Sequence, residues 1–567
     1  AADALAGARD ILAETIMDEA ELRRLMREKF WKSAVLETTL DADAEEAQVF
    51  QMYDGYTEPV RTLPSHRILA INRGEKKGCL SVRIAVDHEA NVDWIYKRIY
   101  ARPSIFEGEL RASIEDGYKR LLVPALEREL RAQLTEAAEE KAIAVFGHNL
   151  RQLLLQPPLA GHTVLGLDPG YRTGCKVALV DATGNVLASG VIHVTRSDGE
   201  RRSAAQALLK LIKTHGVTLI SIGNGTASYE TEQFVAALIR DNDLKDVHYL
   251  ITNEAGASVY SASQLAKDEL PDYDVTIRGA VSIARRVQDP LAELVKIDPQ
   301  AIGVGQYQHD VSQKQLRETL DATVEDAVNH VGVDLNTASP ALLNRIAGIN
   351  ATIAKNIVAY RNEHGRFTSR KTLRKVARLG DAAFTQCAGF LRIHEGETPL
   401  DGTAIHPESY ELARSILAEL GADEDDLHDR AKLPALALKT AQMSAAPLAK
   451  KLGAGVPTVT DILKAIARPG RDPREDLPAP LTRQNIVKLS DLAVGTVLKG
   501  TVRNIVDFGA FVDIGVHQDG LVHISELSDK FVKHPLDVVK VGDIVNVRVL
   551  SVDEKRKKIA LSMKKKR

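Results

Sequence analysis

Cysteine is scarce in this chain of 567 residues. The three cysteines, Cys79, Cys175 and Cys387, lie far apart and show no paired spacing. This pattern indicates neither a disulfide framework nor a zinc site, and it favours a reducing compartment, the cytoplasm. We therefore expect no cofactor and no bound metal.

Long apolar runs are also missing. No segment approaches the roughly 18 consecutive apolar residues that a bilayer-spanning helix needs, so we expect no membrane partner. No secretory signal peptide is visible, which agrees with a cytoplasmic location. The chain opens inside a helical pattern without an initiator methionine, and we expect the natural N-terminus to lie further upstream.

A strong net charge is absent too, because the formal value is only −3. The charge is instead distributed unevenly. Residues 331–394 contain ten Lys/Arg against three Asp/Glu, and residues 395–430 contain eleven Asp/Glu against two Lys/Arg. Residues 494–567 are basic again. This alternation indicates separate modules, two of them suited to phosphate contacts.

The length alone predicts about four domains, and the residue patterns separate five. They are a helical, helix-turn-helix-like block over 1–158, an RNase H-like α/β domain over 160–330, a tandem helix-hairpin-helix over 331–394, a helical linker domain over 395–493 and a β-barrel over 494–567. The predicted fold class is therefore multidomain and mainly α, with one α/β domain and a C-terminal β OB-fold barrel.

Within the helical block, two local features are predicted. Pro124 should kink or divide a long amphipathic segment over 107–155. A turn at Arg73-Gly74-Glu75 should precede a short strand at Cys79–Val86.

The C-terminal barrel is the most informative part of the chain. Its five predicted strands are Gly495–Val502, Gly509–Val512, Gly520–His523, Ile544–Val552 and Lys558–Ser562. Five short strands separated by turn residues have the spacing of an OB-type barrel.

An aromatic pattern in that barrel predicts RNA binding. The segments Asp507–Val512 and Gly520–Ser525 resemble the ribosomal-protein S1 RNA-binding domain, in which two aromatics and a histidine form a base-stacking platform. The resemblance assigns Phe508, Phe511 and His523 to that platform. The remaining predicted RNA-binding residues are Arg503, Asp553, Lys555 and Lys557. Stacking suits single strands because every base has a π-face. The alternative is that both phenylalanines belong to the barrel core.

The helix-hairpin-helix region predicts a second nucleic-acid contact. Gly348 permits a tight turn. Asn350 stands where such hairpins usually carry a second glycine, and asparagine tolerates the left-handed conformation better than most residues. The turn would present backbone N–H groups to a phosphate. The region resembles the DNA-binding helix-hairpin-helix of competence-type proteins. The cations expected nearest to a nucleic-acid backbone are Lys355, Arg361, Arg366, Arg370 and Lys371. Packing between domains is the alternative role.

The RNase H-like domain raises the question of catalysis. Such nucleases need three or four carboxylates around two metal ions. Asp168 ends the first strand, and Glu254 follows a later one. Asp321, Glu325 and Asp326, on a helix beginning near Ser312, are the candidates for the rest. The alternative is that these acids only cap turns and helices.

The order of these domains resembles that of the bacterial transcription accessory family Tex, over essentially the whole chain. The motifs that carry the resemblance are Gly166-Leu167-Asp168-Pro169-Gly170, Gly223-Asn224-Gly225-Thr226, Asn253-Glu254-Ala255-Gly256-Ala257-Ser258 and Gln306-Tyr307-Gln308-His309-Asp310. The resemblance implies nucleic-acid binding, chiefly through the S1 barrel, and an inactive RNase H-like domain of YqgF type. We therefore predict a non-enzymatic factor that binds single-stranded RNA, with DNA as a further ligand and RNA polymerase or the ribosome as protein partner. The alternatives are a metal-dependent nuclease or resolvase, and an adaptor on the polymerase or ribosome.

Overall fold

The computed structural model describes residues 2–100, 102, 104–429, 431–476, 482–483, 492–516, 519–553 and 558–564. Residue contacts divide the chain into two compact units. The first contains Ala1–Phe146 and Gly305–Leu316, and the second contains Gly147–Val304 and Arg317–Arg567. Among the described residues, no helix has both the length and the apolar character needed to cross a membrane.

The first unit combines helices with a small sheet. Its elements are α1 (Ala2–Met17), α2 (Ala20–Ser33), β1 (Val35–Leu40), α3 (Ala47–Phe50), β2 (Thr57–Pro59), α4 (Ser65–Lys76), β3 (Leu80–Ala85), α5 (His88–Ile99), α6 (Glu107–Gly117) and the start of α7 (Val123–Leu154). The predicted strand near residue 80 is present, and it pairs with β1 in a three-stranded sheet of order β2-β1-β3. The predicted turn at Arg73-Gly74-Glu75 is wrong, because α4 continues to Lys76 and the chain turns at Gly78, whose φ is +70°.

The predicted interruption at Pro124 is present, one turn earlier than the proline itself. A single π-helical turn, Tyr118–Leu122, separates α6 from α7, and Pro124 stands at the start of α7. Proline has no backbone N–H to donate to the preceding turn, and the irregular turn Tyr118–Leu122 stands where that hydrogen bond is missing. Beyond Pro124 the helix continues without a break.

The second unit begins with the RNase H-like sheet. Its strands are β4 (Val164–Asp168), β5 (Cys175–Val180), β6 (Val186–Ile192), β7 (Leu219–Gly223) and β8 (His248–Thr252), in the order β6-β5-β4-β7-β8. β4, β7 and β8 are parallel, whereas β5 and β6 are antiparallel to their neighbours. The parallel strands end together, so the loops after Asp168, Gly223 and Thr252 share one edge of the sheet.

Helices cover both faces of this sheet. α8 (Asp198–His215) and α9 (Ser228–Asp241) pack with one apolar cluster, and α12 (Val275–Gln288) packs with another. A side chain at Gly166 would overlap the backbone carbonyl of Ala280, so glycine lets α12 lie directly on β4. The other helices of this part are α10 (Ala257–Ala262), α11 (Gln264–Glu269), α13 (Pro290–Leu294) and α14 (Gln313–Val331).

A helical region follows. Its elements are β9 (Val333–Asp334), α15 (Pro340–Leu343), α16 (Ala351–His364), α17 (Asp381–Cys387), β10 (Leu391–Arg392), α18 (Tyr410–Glu419), α19 (Leu433–Gln442), α20 (Ala445–Leu452) and α21 (Val456–Ala467). β9 and β10 form a short parallel pair that joins the two ends of the hairpin region.

The chain finishes in a closed five-stranded barrel. Its strands are β11 (Val497–Val506), β12 (Gly509–Asp513), β13 (Gly520–His523), β14 (Ile544–Asp553) and β15 (Lys558–Ser562), in the closed order β11-β12-β13-β15-β14. The barrel, the α/β domain and the mainly helical remainder confirm the predicted fold class.

Candidate nucleic-acid interface

Phe508 and Phe511 lie outside the core of the barrel. Their ring centroids are 6.3 Å apart, and the ring planes meet at 84°. Both side chains are half-buried, whereas the barrel interior is filled by aliphatic residues such as Val502, Val512 and Val547. The alternative assignment of Phe508 and Phe511 to the core is therefore wrong. Half-exposed aromatic faces on a small barrel can accept a base by stacking.

Strand register brings His523 to the same outer surface as Phe511. Gly509 pairs with His523, and Phe511 pairs with Leu521, so these four residues alternate with the inward-facing Ala510 and Val522. His523 is exposed, and its Nδ1 lies 2.9 Å from Ser525 Oγ. That contact holds the ring at the end of β13.

Glycine at position 509 lets the two strands meet beneath these rings. Its φ of +157° belongs to the region that favours glycine, and a side chain there would overlap the carbonyl of Val522. The chain therefore carries Phe508 and Phe511 on either side of a residue that cannot have a side chain.

Of the predicted acid and bases of this surface, the structure describes only the acid, Asp553. Asp553 is exposed and pairs with Lys558 at the end of the β14–β15 ladder. Lys555 and Lys557 lie outside the described residues. Phe511 and His523 thus share one surface, with Phe508 beside Phe511. Base stacking on them and the basic turn beside Asp553 both stay predictions.

The guanidinium of Arg503, predicted to contact RNA, makes contacts within the protein instead. It donates to Asp513 Oδ2 at 2.6 Å and to the backbone carbonyl of Ile251 at 3.1 Å. It therefore connects the barrel to β8 of the RNase H-like sheet. A guanidinium held by a carboxylate and a carbonyl is already paired, so the predicted RNA-phosphate contact of Arg503 is corrected to an interdomain contact.

Arg483 completes this interdomain cluster, which sequence patterns did not reveal. Its backbone exchanges hydrogen bonds with Tyr249 of β8, at 2.8 and 2.9 Å. Its side chain donates to Asp513 Oδ1 at 2.9 Å and lies 3.6 Å from Glu232. Asp513 is only 6% exposed; burial alone would raise its pKa, but Arg503 and Arg483 outweigh burial and lower the pKa to about 2.

The first helical hairpin has the turn that phosphate binding requires. Gly348 has φ +80°, so it takes the left-handed conformation. Asn350 does not: its φ is −91°, and its side chain caps α16 by accepting from the Ile353 N–H at 3.0 Å. The left-handed conformation that asparagine tolerates is therefore not used at Asn350. An Asn at this position serves as an N-cap, so the missing second glycine costs the helix nothing.

The second hairpin repeats this geometry with different residues. Arg378 has φ +67° where the first hairpin has Gly348, and Gly380 precedes α17 in an extended conformation. In both hairpins the first residue of the turn is left-handed and the third is the N-cap, directly before the helix.

The predicted cations of the hairpin region divide by burial. Lys355 and Lys371 are exposed, and Arg366 is exposed beside Glu395 at 3.0 Å. Arg361 points inward and donates to the carbonyls of Leu335 and Ala338, and burial lowers its pKa. The outward cations are the ones that can reach a phosphate.

Arg370 is the clearest correction, because it is 1% exposed. Its guanidinium donates to the carbonyls of Leu391, Thr403 and Ile405 and to the Tyr410 hydroxyl, at 2.6–2.7 Å. This arginine holds the hairpin region to the helices that follow it, so it cannot contact a nucleic-acid backbone.

The two acids of the RNase H-like domain lie near each other at the carboxyl edge of the sheet. Burial raises the pKa of both Asp168 and Glu254, and the Asp168 charge adds to the increase at Glu254. Side chains at Gly223 or Gly225 would overlap the Glu254 carboxylate, so these glycines make room for it. Arg286 is buried nearby and donates to the carbonyls of Asn253 and Ala255, which fixes the loop that carries Glu254.

The other candidate carboxylates do not join this pair. Asp321 accepts from Arg345 at 2.9 Å, and Asp326 accepts from Arg151 at 3.0 Å. Within the described residues, no group of three or more His, Cys, Asp or Glu side chains is arranged to hold a metal ion. Asp321 and Asp326, the candidates under the nuclease alternative, are therefore held by arginines, and among the described residues nothing groups Glu325 with the pair either.

Comparison with known proteins extends these observations. Five family models match the chain: Tex central region-like (residues 1–146), Tex protein YqgF-like domain (162–288), Helix-hairpin-helix motif (328–392), HHH domain (398–474) and S1 RNA binding domain (491–564). These matches support nucleic-acid binding by the chain.

Three relatives are similar over almost the entire chain. "Uncharacterized protein YdcI" of Bacillus subtilis is 50% identical over 566 residues, which cover 99% of this chain and 78% of the relative. "Transcriptional accessory protein Tex" of Neisseria gonorrhoeae is 48% identical over 568 residues, 99% of this chain and 74% of the relative. Human "S1 RNA-binding domain-containing protein 1" is 37% identical over 627 residues, 98% of this chain and 63% of the relative.

Proposed function

The chain belongs to the Tex family of transcriptional accessory proteins, and from this premise we propose that it is a non-enzymatic factor that binds single-stranded RNA and assists transcription. The observation that carries the proposal is the position of Phe508 and Phe511. Both rings lie outside an aliphatic barrel core, on a surface shared with the exposed His523. A packing role would have placed them inside.

Base stacking is the main source of affinity in this proposal. Each stacked base contributes about 1–3 kcal/mol without reading sequence. Phe508, Phe511 and His523 would stack successive bases, with Asp553, Lys555 and Lys557 at the rim. We expect weak sequence preference and marked salt dependence.

The helix-hairpin-helix region supplies a second, weaker contact. The turn at Gly348 and the N-terminus of α16 at Asn350 would take one phosphate, with the outward Lys355 and Arg366 beside it. Such a contact suits DNA or duplex nucleic acid because it uses the backbone alone. Arg361 would act only by fixing the position of α16.

The cellular setting is part of the same proposal. We place the protein in the cytoplasm, in contact with RNA polymerase or the ribosome. Cys79, Cys175 and Cys387 are buried and free, which suits a reducing compartment. The five domains expected at 1–158, 160–330, 331–394, 395–493 and 494–567 remain our proposed division.

A metal-dependent nuclease is the second candidate function, and one observation favours it. Asp168 and Glu254 lie close together, with raised pKa values, at the edge of the sheet where RNase H-like enzymes hold metal. Two carboxylates fall short of the three or four that two-metal cleavage uses. We therefore propose that this pair shapes the loops and does not cleave nucleic acid.

The test is equilibrium binding of labelled single-stranded RNA to the full chain and to Phe511→Ala. Losing one stacked base should weaken binding by about 1–3 kcal/mol. Val497→Ala is the control, because Val497 is an exposed apolar residue of the same barrel. Equal affinity of Phe511→Ala and the wild type, with the barrel folded, would remove the stacking proposal.

A further inference from the structure

A third phenylalanine of the barrel is more exposed than the two of the platform. Phe531 lies in the connection between β13 and β14 and is 96% exposed, the highest value for a large apolar side chain among the described residues. A single exposed apolar side chain is common on protein surfaces, so exposure alone does not identify a binding site. What distinguishes Phe531 is the set of residues around it.

The exposure of Phe531 follows from how its neighbours are anchored. Leu527 is 2% exposed and belongs to the barrel core, and Val532 packs against that core. Pro535 is buried just beyond. Val532 packs inward while Phe531, the residue before it, is exposed, so the two side chains point to different sides of the chain.

The surroundings of Phe531 indicate the chemistry of its occupant. Lys530 and Lys533 flank it in the sequence, with Asp529 next to Lys530; all three are exposed, and neither lysine forms an ion pair among the described residues. An exposed aromatic ring with two unpaired cations on the same segment suits a base and its neighbouring phosphates, the combination that single-strand binding proteins use. An apolar protein surface would not require these two cations.

The connection also begins at the proposed platform. It leaves β13 at His523, and Phe531 follows eight residues later. The connection therefore links the proposed platform to Phe531 within the same barrel.

We propose that Phe531, with Lys530 and Lys533, forms an extension of the single-strand RNA site that accepts a base beyond those on the platform. This inference rests on the proposed function and deepens it. It predicts a binding site longer than the platform alone provides. Short RNA occupies the platform only, whereas longer RNA reaches Phe531 as well.

The test compares oligouridines of about 4 and about 12 nucleotides, a short and a longer length within the range of about 4–16 for one OB barrel. With the full chain, Phe531→Ala should weaken binding of the longer RNA by about fivefold or more and leave the shorter RNA unchanged. Phe106→Ala is the matched control, because Phe106 is also an exposed phenylalanine (61%) but lies outside the barrel.

Failure of this inference and failure of the proposed function give different results. If Phe511→Ala weakens both RNAs and Phe531→Ala weakens neither, the platform stands and the extension is refuted. If neither variant changes binding of either RNA, the platform itself is refuted, and the extension with it. The first of these patterns would assign Phe531 to a protein contact.

A spectroscopic measurement checks for stacking directly. The chain has two tryptophans, Trp31 and Trp94, both far from the barrel in sequence. Phe531→Trp should add emission that is quenched by the longer RNA and not by the shorter one, after the wild-type signal is subtracted. Equal emission with and without the longer RNA, in a variant that still binds it, would contradict a stacked base at this position.

Discussion

The ionic cluster at Asp513 should control how firmly the barrel is held to the RNase H-like domain. We consider the substitution Asp513→Asn, which keeps the shape and removes the charge. The carboxylate accepts from Arg483 at 2.9 Å, from Arg503 at 2.6 Å and from the Gly515 N–H at 2.9 Å. The variant removes the counter-charge that Arg503 and Arg483 share, and leaves Arg483 with the more distant Glu232 at 3.6 Å.

Two lines of reasoning set the magnitude. Removing one partner of a buried ion pair typically costs about 3–5 kcal/mol. Separately, a pKa lowered from 3.8 to about 2 corresponds to about 2 kcal/mol of preferential stabilisation of the charged form. We therefore expect Asp513→Asn to lower the free energy of opening this contact by about 2–5 kcal/mol.

The assay must report on this contact alone, because a multidomain chain does not unfold in one step. The Tyr249 amide is suitable, since it donates to the Arg483 carbonyl at 2.9 Å. Its hydrogen exchange should accelerate by about thirtyfold or more in Asp513→Asn. Asp537→Asn, which removes an exposed acid of the barrel, should leave that exchange unchanged. If the Tyr249 amide exchanges at the wild-type rate in Asp513→Asn, the cluster does not hold the barrel to the RNase H-like domain.

The same cluster predicts a pH dependence. Because the folded-state pKa of Asp513 is lower than the unfolded value, its stabilisation is fully present above about pH 4. It should be lost as the pH falls from there towards 2. Exchange of the Tyr249 amide, corrected for its intrinsic pH dependence, should show this loss in the wild type and not in Asp513→Asn.

Three further substitutions test separate parts of the structure. Gly509→Ala places a methyl group against the carbonyl of Val522; we expect the barrel to lose about 1–3 kcal/mol and RNA binding to weaken, as measured by thermal melting and by titration. Asn350→Ala removes the cap of α16 and should cost about 1 kcal/mol. Amide exchange in the first turn of that helix should become faster; slower or unchanged exchange would count against the capping role of Asn350. Arg370→Leu leaves several buried carbonyls unpaired at about 1–3 kcal/mol each; rapid proteolysis between residues 370 and 410 is expected, and wild-type resistance would contradict the assigned role.

Local patterns predicted the barrel well because its turns are marked by glycine and its strands alternate. The strands Gly520–His523 and Lys558–Ser562 have the predicted bounds. β1 was missed because Val35–Leu40 follows a helix without a turn signal, and only its pairing with β3 defines it.

Arginine roles could not be predicted because they depend on partners distant in sequence. Arg503 meets the carbonyl of Ile251, 252 residues away along the chain, and Arg370 meets carbonyls 21–35 residues away. A basic residue next to a binding motif looks the same in sequence whether it faces solvent or a buried carbonyl. The shared surface of Phe511 and His523 was predictable for the opposite reason, since these two residues lie on adjacent strands and Phe508 directly precedes the first of these strands.

The central claim is that this protein binds single-stranded RNA without cleaving nucleic acid. The most direct measurement follows binding and cleavage together, using labelled single-stranded RNA, duplex DNA and a branched junction with the full chain, in Mg²⁺, in Mn²⁺ and in EDTA. We predict tight, salt-sensitive binding of the RNA, with every substrate intact under all three conditions. Metal-dependent cleavage that Asp168→Asn abolishes would contradict the account and make the RNase H-like domain a nuclease.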